Sequence, residues 1–187
     1  EFRNGSLHYA GYILDCEEWC LPSWVWTNAA LVRMYCRLGM IDEAKVIADK
    51  LIELQQECGG WIVRNDYDSE GAVPVLAPND SAYIANNSSL ELYSVTKEDK
   101  YLDSAEKCAK WIIKTARKDG MVYVGYDMKR SHWQTNHNIV DVGFTAGLFA
   151  RLYKTTHNVR YLEFLKKFTD KYIEMLQIKT ASRETPI

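Results

Sequence analysis

The sequence lacks the marks of several large function classes. With 23 basic against 25 acidic residues and a net charge of -2, it has no basic excess to offer a phosphate backbone, so no nucleic-acid partner is expected. It also lacks an apolar run long enough to span a bilayer: the stretch from Asn138 to Ala150 is broken by Asp141 and by glycines. No membrane partner is expected either. No charged start followed by an apolar stretch opens the chain, which begins Glu1-Phe2-Arg3-Asn4-Gly5-Ser6; a leader removed earlier stays compatible with export. Phosphate-cradling loops, a dinucleotide fingerprint and a nucleophile elbow are missing. Gly59-Gly60 and Gly143 to Gly147 have neither the required pattern nor the strand–turn–helix context. Nucleotide-dependent transfer is disfavoured, and no cofactor is expected.

Cysteine is odd in number, five in all, and Cys36 and Cys108 fall on apolar helical faces, which favours a reduced, cytoplasmic setting. Cys16 and Cys20 would lie one helical turn apart, but zinc takes four ligands and no paired Cys/His motif supplies the others, so no metal is expected. Arg64-Asn65-Asp66-Tyr67-Asp68-Ser69-Glu70-Gly71 carries acids at alternate positions, like the opening of a calcium loop. Its twelfth position from Asp66 is Ala77 where a glutamate is needed, which leaves a solvated turn. The sequons at Asn4, Asn79, Asn86 and Asn87 are triplets that arise often by chance.

What the chain does have is apolar content, 47% over 187 residues, enough for a sizeable core in one domain. It also has a repeat of about sixty residues, which dictates the architecture. Three units of helix, short turn, helix are predicted: Trp24–Leu38 with Ile41–Glu57, Ser81–Val95 with Lys100–Arg117, and Val142–Tyr153 with Arg160–Ile178. Arg33-Met34-Tyr35, Glu91-Leu92-Tyr93 and Arg151-Leu152-Tyr153 close the first helices. Tyr101-Leu102 and Tyr161-Leu162 open second helices, whose apolar residues recur at helical spacing.

The links repeat as well. Gly60-Trp61-Ile62-Val63 before Tyr67-Asp68 matches Gly120-Met121-Val122-Tyr123 before Tyr126-Asp127, and short strand-like arms are expected there. Gly11-Tyr12 and Trp19 have the spacing of Gly125-Tyr126 and Trp133, so residues 1–22 form a leading arm. Hairpins over 23–58, 79–118 and 139–178 follow, joined by arms at 59–78 and 119–138 and ending in a tail at 179–187. The expected fold is all-α, antiparallel helical hairpins with short β-like arms. The phasing predicts a partial ring whose bare flanks are covered by missing hairpins or by a second copy in a homo-oligomer.

Asn79-Asp80-Ser81-Ala82-Tyr83, with Leu90-Glu91-Leu92-Tyr93, Thr96, Lys100-Tyr101-Leu102, Ala105 and Trp111-Ile112, resembles a hairpin of the six-hairpin glycosidase superfamily. That superfamily includes α-mannan hydrolases, unsaturated glucuronyl hydrolases and N-acylglucosamine 2-epimerase relatives. The resemblance implies an (α/α) toroid acting on an oligo- or polysaccharide, with a cleft ringed by the loops ahead of the inner helices. Asp80 holds that place in unit two and Asp141 nearly the same place in unit three, while unit one offers Pro22-Ser23-Trp24. The adjacent acidic pair of some mannan-cleaving members is here Asn79-Asp80.

Glycoside hydrolysis needs a carboxylic acid for the leaving oxygen and a second carboxylate as base or nucleophile, and Asp80 with Asp141 is the expected pair. Each also suits a helix N-cap. The loop Ser131 to Asn138 gathers His132, Trp133, Asn136 and His137, a mixture suited to sugar hydroxyls and, at His137, to acid–base work; Trp133 equally suits an arm anchor. Trp24, Trp26, Tyr83 and Trp133 are the candidate aromatic cleft residues. The alternative function is a non-catalytic helical-repeat module for binding or assembly.

Overall fold

The computed structural model describes residues 3–8, 12–15, 17–19, 25–68, 71–135 and 142–181. Two short antiparallel ribbons come first, β1 (Arg3–Asn4) with β2 (Leu7–His8) and β3 (Tyr12–Ile13) with β4 (Glu18–Trp19). Three helical pairs follow. They are α1 (Val25–Arg37) with α2 (Ile41–Glu53), α3 (Pro78–Ile84) running through a π-turn (Ala85–Ser89) into α4 (Leu90–Thr96) with α5 (Asp99–Thr115), and α6 (Val142–Thr156) with α7 (Val159–Ala181). Between the pairs run β5 (Ile62–Asp68), β6 (Gly71–Leu76), β7 (Gly125–Asp127) and β8 (His132–Gln134). Among the described residues no helix is long and apolar enough to cross a membrane.

The first helix of each pair stops for the same local reason. Counting four residues on from the repeated tyrosine, Gly39, Lys97 and His157 all take positive φ, at 76°, 60° and 56°. The Lys97 and His157 backbone N–H groups donate to the Tyr93 and Tyr153 carbonyls at 3.0 and 2.8 Å, a left-handed stop that leaves the chain ready to reverse. In the second and third units Thr96 and Thr156 hydroxyls cap the Leu92 and Leu152 carbonyls at 2.9 and 2.8 Å.

The first helices α1, α3–α4 and α6 pack on one another as an inner row, and α2, α5 and α7 lie behind them. Ala29, Val32, Ile47, Leu51, Tyr101, Ala105, Cys108, Ile112, Leu148, Phe149 and Leu152 are buried between the rows. Removing this surface from water is the main driving force. Trp61, fully buried, ties an arm to this core: its indole N–H donates to the Leu51 carbonyl at 2.7 Å and its backbone N–H to Ser81 Oγ at 3.1 Å. Burial pushes the Cys36 thiol up to about 11, with Glu91 adding to the effect, and pushes Cys108 higher still. Both behave as small hydrophobes. Cys16 and Cys20 lie outside the described residues.

The arms are strands, and they join. β5–β6 and β7–β8 are two hairpins fused through β6–β7 pairing (Val75↔Asp127, Leu76↔Tyr126) into one antiparallel sheet of order β5-β6-β7-β8. In the sequence they stand a whole helical hairpin apart. Residues 64–68, expected as a solvated turn, belong instead to β5, paired with β6 up to Asp68↔Gly71. The matched spacing of the leading arm has a structural cause, since Tyr12↔Trp19 and Tyr126↔Trp133 are both cross-strand partners.

The turns out of α2 and α5 repeat each other with one correction. Gly59 N–H donates to the Gln56 carbonyl and Gln56 N–H to the Gly60 carbonyl, both at 2.9 Å; Gly120 donates to Arg117 at 2.9 Å and Arg117 to Met121 at 2.8 Å. Gly59, not Gly60, is therefore the partner of Gly120, and both take positive φ, 112° and 91°. A Cβ on Gly59 would sit 2.4 Å from the Lys107 carbonyl oxygen, whereas one on Gly120 would meet the movable side chain of Lys167 at 2.9 Å. Gly59→Ala is expected to destabilise the protein by about 3 kcal/mol or more and Gly120→Ala by about 1–2 kcal/mol, read from urea unfolding midpoints. Equal losses would show that the close backbone approach at Gly59 does not matter.

Candidate functional site

The inner helices begin at the end of the hairpins where the sheet lies, and three aromatic rings meet there. Trp26 stands in the first turn of α1, Tyr83 near the end of α3 and Phe144 in the first turn of α6. Trp26 and Tyr83 are stacked, centroids 4.3 Å apart at 12°, and Phe144 meets the Tyr83 ring edge-on at 4.7 Å and 66°. Trp26 remains 37% exposed, so the cluster keeps aromatic surface open to solvent. Burial raises the Tyr83 phenol, against a lowering by the nearby Arg33 cation. Sequence reasoning singled out Trp26 and Tyr83 and missed Phe144. Its signal was its distance from the repeated tyrosine: nine residues separate Phe144 from Tyr153, as nine separate Trp26 from Tyr35.

Asp80 lies three residues before Tyr83, in the first turn of α3, and is half-buried. It is not the cap of that helix. Ala77 occupies the cap position and Pro78 follows it, so the helix starts one turn earlier than the sequence suggested because proline suits the first position. As an acid in the first turn, Asp80 instead sets its carboxylate at the positive end of the helix dipole. Asn79, the other half of the pair, is buried and accepts a hydrogen bond from the Thr145 hydroxyl of α6, which ties the first turns of α3 and α6 together.

His132 and Trp133 stand on β8. Trp133 stacks on Tyr123 at 4.8 Å and 24° and packs on Tyr126 at 4.9 Å and on Trp111 of α5 at 6.4 Å. This second aromatic set covers an outer helix, whereas the Trp26 set crowns the inner ones. His132 is exposed, with Nδ1 3.9 Å from Asp127 Oδ2. The remaining expected site residues, Trp24, Asn136, His137 and Asp141, lie outside the described residues. Among the described residues no group of three or more His, Cys, Asp or Glu is placed to hold a metal ion.

Residues 81–184, more than half of the 187, match the family model described as glycosyl hydrolase family 76. The chain belongs to that family. None of the curated proteins compared with it matches. Among solved structures it is similar to a family 76 α-mannanase of Bacteroides thetaiotaomicron, with TM-score 0.66 and 16% identity over 79% of this chain and 43% of that one. A family 76 mannosidase of the same organism gives 0.61 and 21% over 79% and 42%. A sugar epimerase from a ruminal bacterium gives 0.52 and 15% over 80% and 40%. These likenesses show the helical-hairpin fold of the α/α toroids, and the family 76 chain spans less than half the length of each of the three.

Asp127 closes the β7–β8 turn and is 2% exposed. The Arg130 backbone N–H at 2.7 Å, more than its guanidinium at 2.8 Å or His132, holds the Asp127 carboxyl below the usual range against the opposing effect of burial. A lowered carboxyl stabilises the fold above its ordinary value of 3.8 and loses that contribution as pH falls through the folded-state value. Asp127→Asn is therefore expected to lower Tm at pH 7, with the deficit vanishing as pH falls below 3.8 through the carboxyl's lowered folded-state value. A Tm deficit unchanged across that range, measured by thermal melts, would contradict the assignment.

Proposed function

We propose that this family 76 chain takes part in glycan processing, with α-mannan as the substrate class, and that its cleft lies over the starts of the inner helices. The observation that carries the reading is the convergence of Trp26, Tyr83 and Phe144 from three hairpins, one helical turn from Asp80. A flat aromatic face suits the apolar face of a pyranose ring. Asp80 acts as one carboxylate of the acid–base pair and Asp141 as the other, with His132, Asn136 and His137 serving sugar hydroxyls and proton transfer and Trp24 as a further sugar-binding residue, whereas Trp133, packed on Trp111 with Tyr123 and Tyr126, anchors the arm. The α-mannanase, mannosidase and epimerase among the similar structures support sugar chemistry of this kind.

A second reading, a non-catalytic repeat module for binding or assembly, is favoured by one feature. Met34 and Leu38, 43% and 64% exposed, lie one turn apart at the C-terminal end of α1, Leu38 just beyond its last residue. Light scattering separates the two: a concentration-dependent dimer broken by Leu38→Glu supports the module, and a monomer supports the enzyme.

Calorimetric titration with α-mannan oligosaccharides tests the first reading. Trp26→Ala is expected to weaken binding about tenfold. Asp80→Asn should leave affinity near its original value while lowering turnover by about 100-fold or more. Absence of binding by the unaltered protein, or full turnover by Asp80→Asn, would overturn it.

A further inference from the structure

The repeated tyrosines give each inner helix a common origin. Counting back, Trp26 lies nine residues before Tyr35 and Phe144 nine before Tyr153, but Tyr83 lies ten before Tyr93. The residue nine before Tyr93 is Ile84, which is fully buried. The extra residue falls in the π-turn Ala85–Ser89, where the backbone winds with one residue more than an α-helix. One residue is a rotation of about 100°. A plain α-helix in the same register would carry Ile84, not Tyr83, to the face occupied by Trp26 and Phe144.

The π-turn is held from both sides. Arg33, seven residues after Trp26 on α1, donates from Nη1 to Asn87 Oδ1 at 2.9 Å, and the Asn87 side-chain amide donates to the Tyr83 carbonyl at 3.0 Å. Arg151, seven residues after Phe144 on α6, donates from Nη1 to the Asn86 backbone carbonyl at 2.9 Å, to Asn86 Oδ1 at 3.2 Å and to Glu91 at 3.0 Å. Carbonyls that a widened turn leaves poorly served by the helix ladder thus find side-chain donors. Each flanking helix meets the middle one through its aromatic ring and again, seven residues on, through its arginine.

We infer that the π-turn, clamped by Arg33 and Arg151 through Asn87 and Asn86, is the positioning device of the aromatic site: its wider winding takes up the one extra residue and so sets Tyr83, ten residues before Tyr93, on the face shared with Trp26 and Phe144. Its bearing on glycan affinity rests on the proposed function, whereas its bearing on the ring stack does not.

The test separates the winding of the turn from the number of residues in it. The stack is read as the part of the near-UV circular dichroism that Trp26→Phe abolishes. Arg33→Met with Arg151→Met in the full chain removes both clamps at unaltered length, so that a turn closed to α geometry brings Ile84, nine residues before Tyr93, onto the aromatic face. The signal is expected to disappear in that variant and α-mannan oligosaccharide affinity to fall about tenfold. Adding Tyr83→Ile with Ile84→Tyr to it should restore the signal, which a purely structural role for the turn would not do. Deleting Asn86 instead removes the extra residue and sets Tyr83 nine residues before Tyr93, so there the signal should survive; this variant decides the matter if the clamp variant fails to fold. A stack signal unchanged by the clamp substitutions or unrestored by the exchange in a folded protein, or one lost from a folded deletion variant, overturns the inference. A restored signal at unaltered glycan affinity upholds it and overturns the glycan reading of the cluster instead.

Discussion

A buried helix with polar faces must find a hydrogen-bond partner on every side, and that constraint organises this molecule. The middle inner helix buries Asn79, Ser81, Asn87, Ser88 and Ser89, and leaving such a group unpaired costs about 1–3 kcal/mol. Ser81 takes Trp61 of the arm, Asn79 takes Thr145 of α6, Asn87 takes Arg33 of α1 and Ser89 takes Ser104 of α5. Apolar burial alone would hold helices together at several rotations and offsets. These four pairs fix the azimuth of the middle helix against a strand arm, two inner neighbours and its own outer partner, and with it the direction in which Asp80 and Tyr83 face.

The aromatic cluster follows from that fixation. Rings contributed by three separate hairpins can stack at 4.3 Å only if the helices bearing them are held in register over several turns. The arginines that clamp the π-turn act below the cluster and leave the rings themselves free of polar demands. Site and scaffold are thus separated along one face of each inner helix: aromatic at the open end, charged one and a half to two turns below, apolar behind.

The helical hairpins were legible because periodicity repeats what it says: Tyr35, Tyr93 and Tyr153 mark equivalent helix ends, and Tyr101 and Tyr161 equivalent starts. The arms were legible for the same reason, since Tyr12 with Trp19 and Tyr126 with Trp133 carry a cross-strand pair in their spacing. What stayed hidden broke the period by one. The Gly59–Gly120 equivalence, displaced from the apparent Gly60–Gly120 match, is set by hydrogen bonds and positive φ and not by neighbouring residue types. The π-turn is likewise a single added residue, read in the sequence as two overlapping sequons at Asn86 and Asn87. Pairing of β6 with β7 joins segments fifty residues apart and has no local signal. Phe144 was passed over because an aromatic in an apolar helix start reads as core.

The one-residue correction also changes the meaning of the acidic positions. Without it, Asp80 and Asp141 hold only nearly matching places in their units. With Tyr83 aligned on Phe144 and Trp26, Asp80 and Asp141 both stand three residues before their aromatic, and Ser23 stands at that place in unit one. The repeat thus carries a carboxylate at one register position in two adjacent units and a hydroxyl in the third. Conversion of the adjacent acidic pair to Asn79-Asp80 fits the same pattern, because residue 79 faces the seam between α3 and α6, where an amide oxygen accepts the Thr145 hydroxyl without the desolvation cost that a second carboxylate would carry. Asn79 therefore serves the packing of hairpin two on hairpin three, which under the proposed function leaves Asp80 and its counterpart one hairpin on as the carboxylates of this register position.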